Sequence, residues 1–256
     1  MSHFITLVLL TPAEMRGGEK QIQDILEYRL APYDENHPVP PYEEFCYCVG
    51  RKAKSRVEEQ LNREMGTWGD ARERFDTDQP KNKSQAGQDL DWTNNIYKPR
   101  LKQEKELFEQ QPDRETPDPE CEECGGTGKV LTQYSPHSKW DWWKIGGRWD
   151  GFFGGKEEMN KRSSNNGFNF GNEHSDLSFN SAPVKSLLDE NGHLDEKLTG
   201  PPFAIIDSKG RWAEKGDMGW WGMVADEKEE DEWKTQVETI LNENLDCTAI
   251  VCDLHI

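Results

Sequence analysis

Long apolar runs are missing from this sequence. No segment approaches the ~20 consecutive apolar residues that carry a helix across a bilayer, which excludes a helical membrane span. Apolar residues are scarce overall, 33% of the 256 against 31% charged. That is less apolar material than a compact domain of this length usually holds, so part of the chain is expected outside the main core. Basic residues are few as well: 31 Lys and Arg against 49 Asp and Glu give a net charge of −18. Such a surface repels phosphate backbones and disfavours direct DNA or RNA binding, while it favours solubility or a basic partner surface. Recognisable catalytic signatures are absent too, with no HExxH, GxSxG, GxxxxGK[ST] or Rossmann glycine pattern.

The opening MSHFITLVLL has neither a basic n-region nor a small-residue cleavage site, so it reads as a strand and not as a secretory signal. Both of its parities are apolar, the pattern of a central strand covered on two faces. Without a leader, the reading places the protein in a reducing cytoplasm, where its six cysteines are free thiols or metal ligands and not disulfides.

Ile22, Ile25, Leu26 and Leu30 have helical spacing that stops before Pro32. A short extended piece is expected at Phe45 to Val49, then a helix with Val57, Leu61 and Met65 as its thin apolar stripe. Residues 1–66 are thus the N-terminal part of an α+β domain. Residues 67–120 are polar, charged and proline-punctuated, and read as a partly mobile insertion with one short helix at Arg100 to Gln111. Residues 121–256 complete the domain. Phe203 to Ile206 and Arg211 to Ala213 flank a Ser-Lys-Gly turn as a hairpin, and Asp226 is placed to cap a helix carrying Trp233, Val237, Ile240 and Leu241. CTAIVCDLHI closes the chain as a strand. The order predicts an antiparallel sheet containing both termini, helices on one face, and ferredoxin-like topology.

The cysteines come as three close pairs. CEECGGTGK puts Cys121 and Cys124 in a CxxCxGxG knuckle, whose glycines let backbone amides turn toward the sulfurs and whose thiolates can share a tetrahedral zinc. One such knuckle supplies half of a four-ligand site. Cys46 and Cys48, or a histidine such as His137, are the candidates to complete it; otherwise this is a glycine-rich turn with two free thiols. Cys247 and Cys252 have opposite strand parity and are expected on different faces.

Every tryptophan except Trp68 and Trp92 lies from Trp140 onward. Trp140, Trp142 and Trp143 occupy both parities of a strand, and Trp220 and Trp221 do the same, so part of the set is expected to line a surface. Gly146 and Gly147 permit the positive φ angles of an anion-binding nest. Lys139 and Arg148 add positive charge, and the indoles, with Trp149, add a stacking platform for a nucleotide-like ligand. The plainer alternatives are tryptophans used as core filling, a simple glycine turn, and Arg148 paired with Asp141 or Asp150. Asp217, Asp226, Glu227 and Asp231 could hold a hard cation or be the solvated start of a helix.

Two resemblances follow from these motifs. CxxCxGxG is similar to one repeat of the zinc-binding region of the DnaJ chaperone family, which takes its second cysteine pair from another repeat; this chain has one copy. MSHF, SKWDWWKIGGRWDG, FAIIDSKGRWAEKGDMGWWG, DEKEEDEW and CDLHI resemble a family of uncharacterised proteins carried mostly by bacteriophages and other mobile elements. That match covers the first strand and roughly the last 130 residues. It implies a phage protein working in host cytoplasm, and supplies no activity. The expectation is a non-enzymatic counter-defence protein that sequesters a nucleotide-derived ligand or blocks a host defence protein. Two alternatives stand beside it: a metal-assisted nucleotide-processing enzyme using Asp217, Asp226 or a histidine near the aromatic face, and an acidic nucleic-acid mimic that inhibits a host nuclease.

Overall fold

A computed structural model describes residues 2–78, 84–154, 177–196, 198, 200–219 and 224–256. In chain order its elements are β1 (His3–Leu10), α1 (Glu19–Leu30), β2 (Tyr42–Phe45), α2 (Arg51–Met65), α3 (Trp68–Asp78), α4 (Gln85–Trp92) and α5 (Lys98–Glu109). There follow β3 (Lys129–Thr132), β4 (Trp142–Ile145), β5 (Ser181–Pro183), β6 (Ala204–Ile206), β7 (Trp212–Glu214), β8 (Asp217–Met218), β9 (Val224–Ala225), α6 (Glu230–Asn242) and β10 (Thr248–His255). The chain forms two compact units, Met1–Val39 with Tyr134–Ile256, and Pro40–Gln133. Among the described residues no helix is long and apolar enough to cross a membrane.

The first unit is α+β and its main sheet contains both terminal strands. β1 and β10 pair antiparallel along their whole length, from His3 opposite His255 to Leu10 opposite Thr248. The sheet order is β4-β10-β1-β6-β7, and β5 pairs with β10 beyond the end of β4. The sheet is mixed, because β6 runs parallel to β1. The order therefore departs from the ferredoxin-like expectation: the first strand of the hairpin, not its second, lies beside β1.

Helices cover both faces, where one was expected. Ile5, Leu7 and Leu9 pack with Trp233, Val237 and Leu241 of α6, and Phe4, Val8 and Leu10 pack with Ile22, Leu26 and Leu30 of α1. The cause is visible in β1 itself, since a strand apolar on both parities needs cover on two sides. Each helix buries a stripe at i, i+4 and i+8. The acidic Glu230, Asp231 and Glu232 open α6, where the helix dipole favours them. Its N-cap is Glu229, whose own side chain makes no capping bond, so Asp226 does not occupy the N-cap position predicted; it lies three residues earlier with φ 46°.

The second unit begins at Pro40 and ends at Gln133, so the boundaries predicted at 66/67 and 120/121 cut through it. Its described part is helical where an insertion was expected, α5 overlapping the one helix foreseen. Few aliphatic residues are needed because aromatic and cationic side chains supply the packing. Trp68 meets Trp92 and Tyr97, Phe75 meets Trp92, and the buried Arg100 guanidinium lies 4.3 Å from the Trp68 ring. Arg100 also donates from its two terminal nitrogens to Gly66 O at 2.8 Å and Asn62 Oδ1 at 2.7 Å, while its buried Nε has no hydrogen-bond acceptor among the described residues.

Candidate metal centre

Both cysteine pairs of the second unit sit in turns attached to one small β-ribbon. β2 leads directly into Cys46-Tyr47-Cys48, and the CxxCxGxG turn leads into β3, its antiparallel partner. The Cys46 amide donates to Gly128 O at 2.9 Å, joining the two turns. Gly126 needs its glycine: its φ is 82°, and a Cβ there would meet Pro119 O at 2.8 Å.

This geometry brings the four sulfurs together, all within 4.8 Å of one another. Cys46 Sγ is 3.7 Å from Cys121 Sγ, and Cys48 Sγ is 3.5 Å from Cys124 Sγ. Those separations exceed the ~2.05 Å of a disulfide, and the thiols are free. Cys46, Cys48 and Cys121 are buried and Cys124 is partly exposed. The Gly128 amide donates to Cys124 Sγ at 3.3 Å, the outer-sphere contact that the knuckle glycines were expected to provide. Burial raises the Cys124 pKa, but the Gly128 amide, the Cys48 and Cys121 thiols and the Gly126 amide outweigh it and bring the value down to about 6. The Cys48 amide favours the Cys46 thiolate, yet burial and the neighbouring sulfurs push that thiol up to about 12. One readily ionised sulfur among three crowded neighbours is an arrangement that could bind a metal ion. His137 is not one of the clustered ligands.

The tryptophan segment has a different fate. Trp140 is buried against α1 and donates from Nε1 to Leu30 O at 3.2 Å. Trp143 packs on the α1 side of the sheet and Trp149 on the α6 side. Trp142 points away from the α1 core and is 45% exposed. Trp220 and Trp221 lie outside the described residues. Lys139 is engaged by Glu214 at 2.7 Å and Asp217 at 2.8 Å; burial opposes its charge, but these carboxylates prevail and hold its pKa above the usual value.

Gly146 and Gly147 do have positive φ, 66° and 55°. The anion in their turn belongs to the chain itself, for Asp253 Oδ2 accepts the Arg148 amide at 2.9 Å. Asp141 bonds to His255 and Asp150 to Asn180. Among the described residues of the segment, Trp142 is the exposed indole, and the glycine turn is lined by the chain's own carboxylate.

Cys247 and Cys252 fall in the cores on opposite faces, as their parity requires, and burial raises both thiols. His3 and His255, neither of them among the predicted site residues, stand side by side at the ends of β1 and β10. The signal was available, since each terminal strand carries a histidine at its outer end and the two strands were expected in one sheet. Searches against protein-family models, curated proteins and solved structures return no match to this chain.

Proposed function

We propose that the protein is a zinc-organised binding protein in which Cys46, Cys48, Cys121 and Cys124 hold one structural zinc ion. Sulfur spacing supports this reading. Zinc–sulfur bonds of ~2.3 Å place the corners of a tetrahedron ~3.8 Å apart, close to the 3.7 Å and 3.5 Å separations of the two cross-turn pairs. Soft thiolates select zinc over magnesium or calcium. Four of them leave the ion no open position, so it ties the two turns together and takes no part in chemistry.

Large apolar side chains face solvent around this centre. Phe45 and Leu131, 75% and 74% exposed, share one face of the β2–β3 ribbon, and Tyr47 is exposed beside them. Such a cluster is suited to a protein partner. The net charge of −18 favours a partner with a basic surface. With the phage resemblance, the reading is a protein made in an infected cell that blocks a host defence effector. Sequestration of a nucleotide-derived ligand is the second reading, and the exposed Trp142 supports it.

Native mass spectrometry of the chain expressed in zinc-replete medium tests the centre. One zinc per chain is expected, and none in a Cys48→Ser/Cys124→Ser double variant; a wild-type chain without metal would end the reading. For the partner, a complex that weakens with salt and with Phe45→Ser/Leu131→Ser is expected. Indifference to both would remove this surface from the account.

A further inference from the structure

One corner of the first unit holds chemistry that the zinc centre does not use. His3 lies opposite His255, and His255 opposite Trp142, so the three side chains share a face of the sheet. Strand period puts Asp253 and Lys144 next along the same face. His3 Nδ1 is 2.9 Å from Asp253 Oδ1, and His255 Nδ1 is 2.5 Å from Asp141 Oδ1. A carboxylate only accepts, so each Nδ1 is the donor and each Nε2 of a neutral ring is left as an acceptor. The buried Asp253 is itself held by the Arg148 amide. The two imidazoles meet edge to face with centroids 4.8 Å apart, and His3 also meets the Trp142 ring at 6.1 Å. Both histidine side chains keep 15% of their surface open to solvent.

We propose that His3 and His255 are an acid–base pair acting on a ribonucleoside phosphodiester with a free 2′-hydroxyl, whose base stacks on Trp142. One neutral imidazole takes the 2′-hydroxyl proton at Nε2 while O2′ bonds to phosphorus. The P–O5′ bond breaks, and the other imidazole, protonated, gives its Nε2 proton to O5′. The products are a 2′,3′-cyclic phosphate and a 5′-hydroxyl, and the step needs no further reactant. An internal nucleophile is what allows two histidines to suffice. Asp253 and Asp141 are positioning residues, which orient the rings and stabilise the imidazolium. The substrate is small, because a chain of net charge −18 repels a long polyanion.

The test incubates the full chain with adenylyl-(3′→5′)-adenosine and with its 2′-deoxy counterpart, and separates the products by chromatography. Cleavage of the ribo form alone is expected, with a bell-shaped pH–rate profile. His3→Gln and His255→Gln should each lower the rate at least about 100-fold with the unfolding midpoint retained. Trp142→Ala, a second variant at an exposed position, should raise KM and leave kcat nearly unchanged. No cleavage of this or any other ribodinucleotide overturns the proposal, as does equal cleavage of the deoxy form or undiminished activity in a His3→Gln/His255→Gln double variant. Zinc content, read by mass spectrometry, is independent of each outcome.

Discussion

Asp253 accepts the backbone amide of Arg148 at 2.9 Å, across the turn that Gly146 and Gly147 form beside β10. A Cβ on Gly147 would lie 2.5 Å from the Asp253 Cβ, and its φ of 55° is unfavourable to other residues. Gly147→Ala is therefore expected to destabilise the chain by about 2–4 kcal/mol, adding overpacking to left-handed strain. The urea midpoint measures it. A shift within error would mean the turn relaxes without disturbing Asp253.

Metal removal should act on the second unit. On the proposed zinc reading its folding would be linked to the ion, because the four cysteines are gathered from two separate turns. Chelation or Cys121→Ser should open Pro40–Gln133 to limited proteolysis while peptides of the first unit stay protected. Uniform cleavage of both units, or of neither, would contradict that assignment.

Trp233 is fully buried in the α6-side core, and its Nε1 donates to Pro202 O at 2.7 Å. Trp233→Ala should lower stability by about 3–5 kcal/mol. Trp233→Phe keeps most of the packing and loses the hydrogen bond, at about 1–2 kcal/mol. The ratio of these two losses, from denaturant melts, checks that packing outweighs the polar contact.

Asp207 supports the β6–β7 turn, accepting the Lys209 and Arg211 amides at 2.9 Å each and Arg211 Nε at 2.6 Å. Burial raises its pKa, but the Arg211 amide and guanidinium and the Lys209 amide prevail and hold it below the ordinary 3.8. The unfolded chain thus binds this proton more readily than the native one. The stabilisation is fully present above 3.8 and is lost as pH falls through the lower native value. Asp207→Asn should be less stable than wild type near neutral pH, and the gap should narrow in acid. Parallel urea midpoints across that range would expose a constant gap, the result that contradicts the assignment.

The elements were legible wherever their cause is local. Two apolar parities in β1, the Ile22–Leu26–Leu30 spacing and the turn around Gly210 each announce themselves within a few residues. Strand order was not legible, since placing β6 and not β7 beside β1 depends on pairing energies between distant segments. The helical character of 68–78 and 85–92 was missed, although the helix from Arg100 was foreseen, because a packing stripe made of Trp68, Phe75 and Trp92 against a buried Arg100 does not look apolar in sequence.

The candidate site divides in the same way. Spacing identified Cys46, Cys48, Cys121 and Cys124 as two half-sites, because thiolate chemistry and knuckle glycines are local properties. Their convergence within 4.8 Å is tertiary, since it needs β2 and β3 to pair across more than eighty residues of chain. Likewise the parity of Trp142 and Trp143 was readable, but which of them would be covered depended on where α1 packs. The residue types alone determined that this acidic chain carries a thiol-rich turn and an indole-rich strand. Only the fold decided that Asp253 fills the glycine turn and that histidines from the two ends of the chain stand together, because such contacts exist only once the terminal strands are paired.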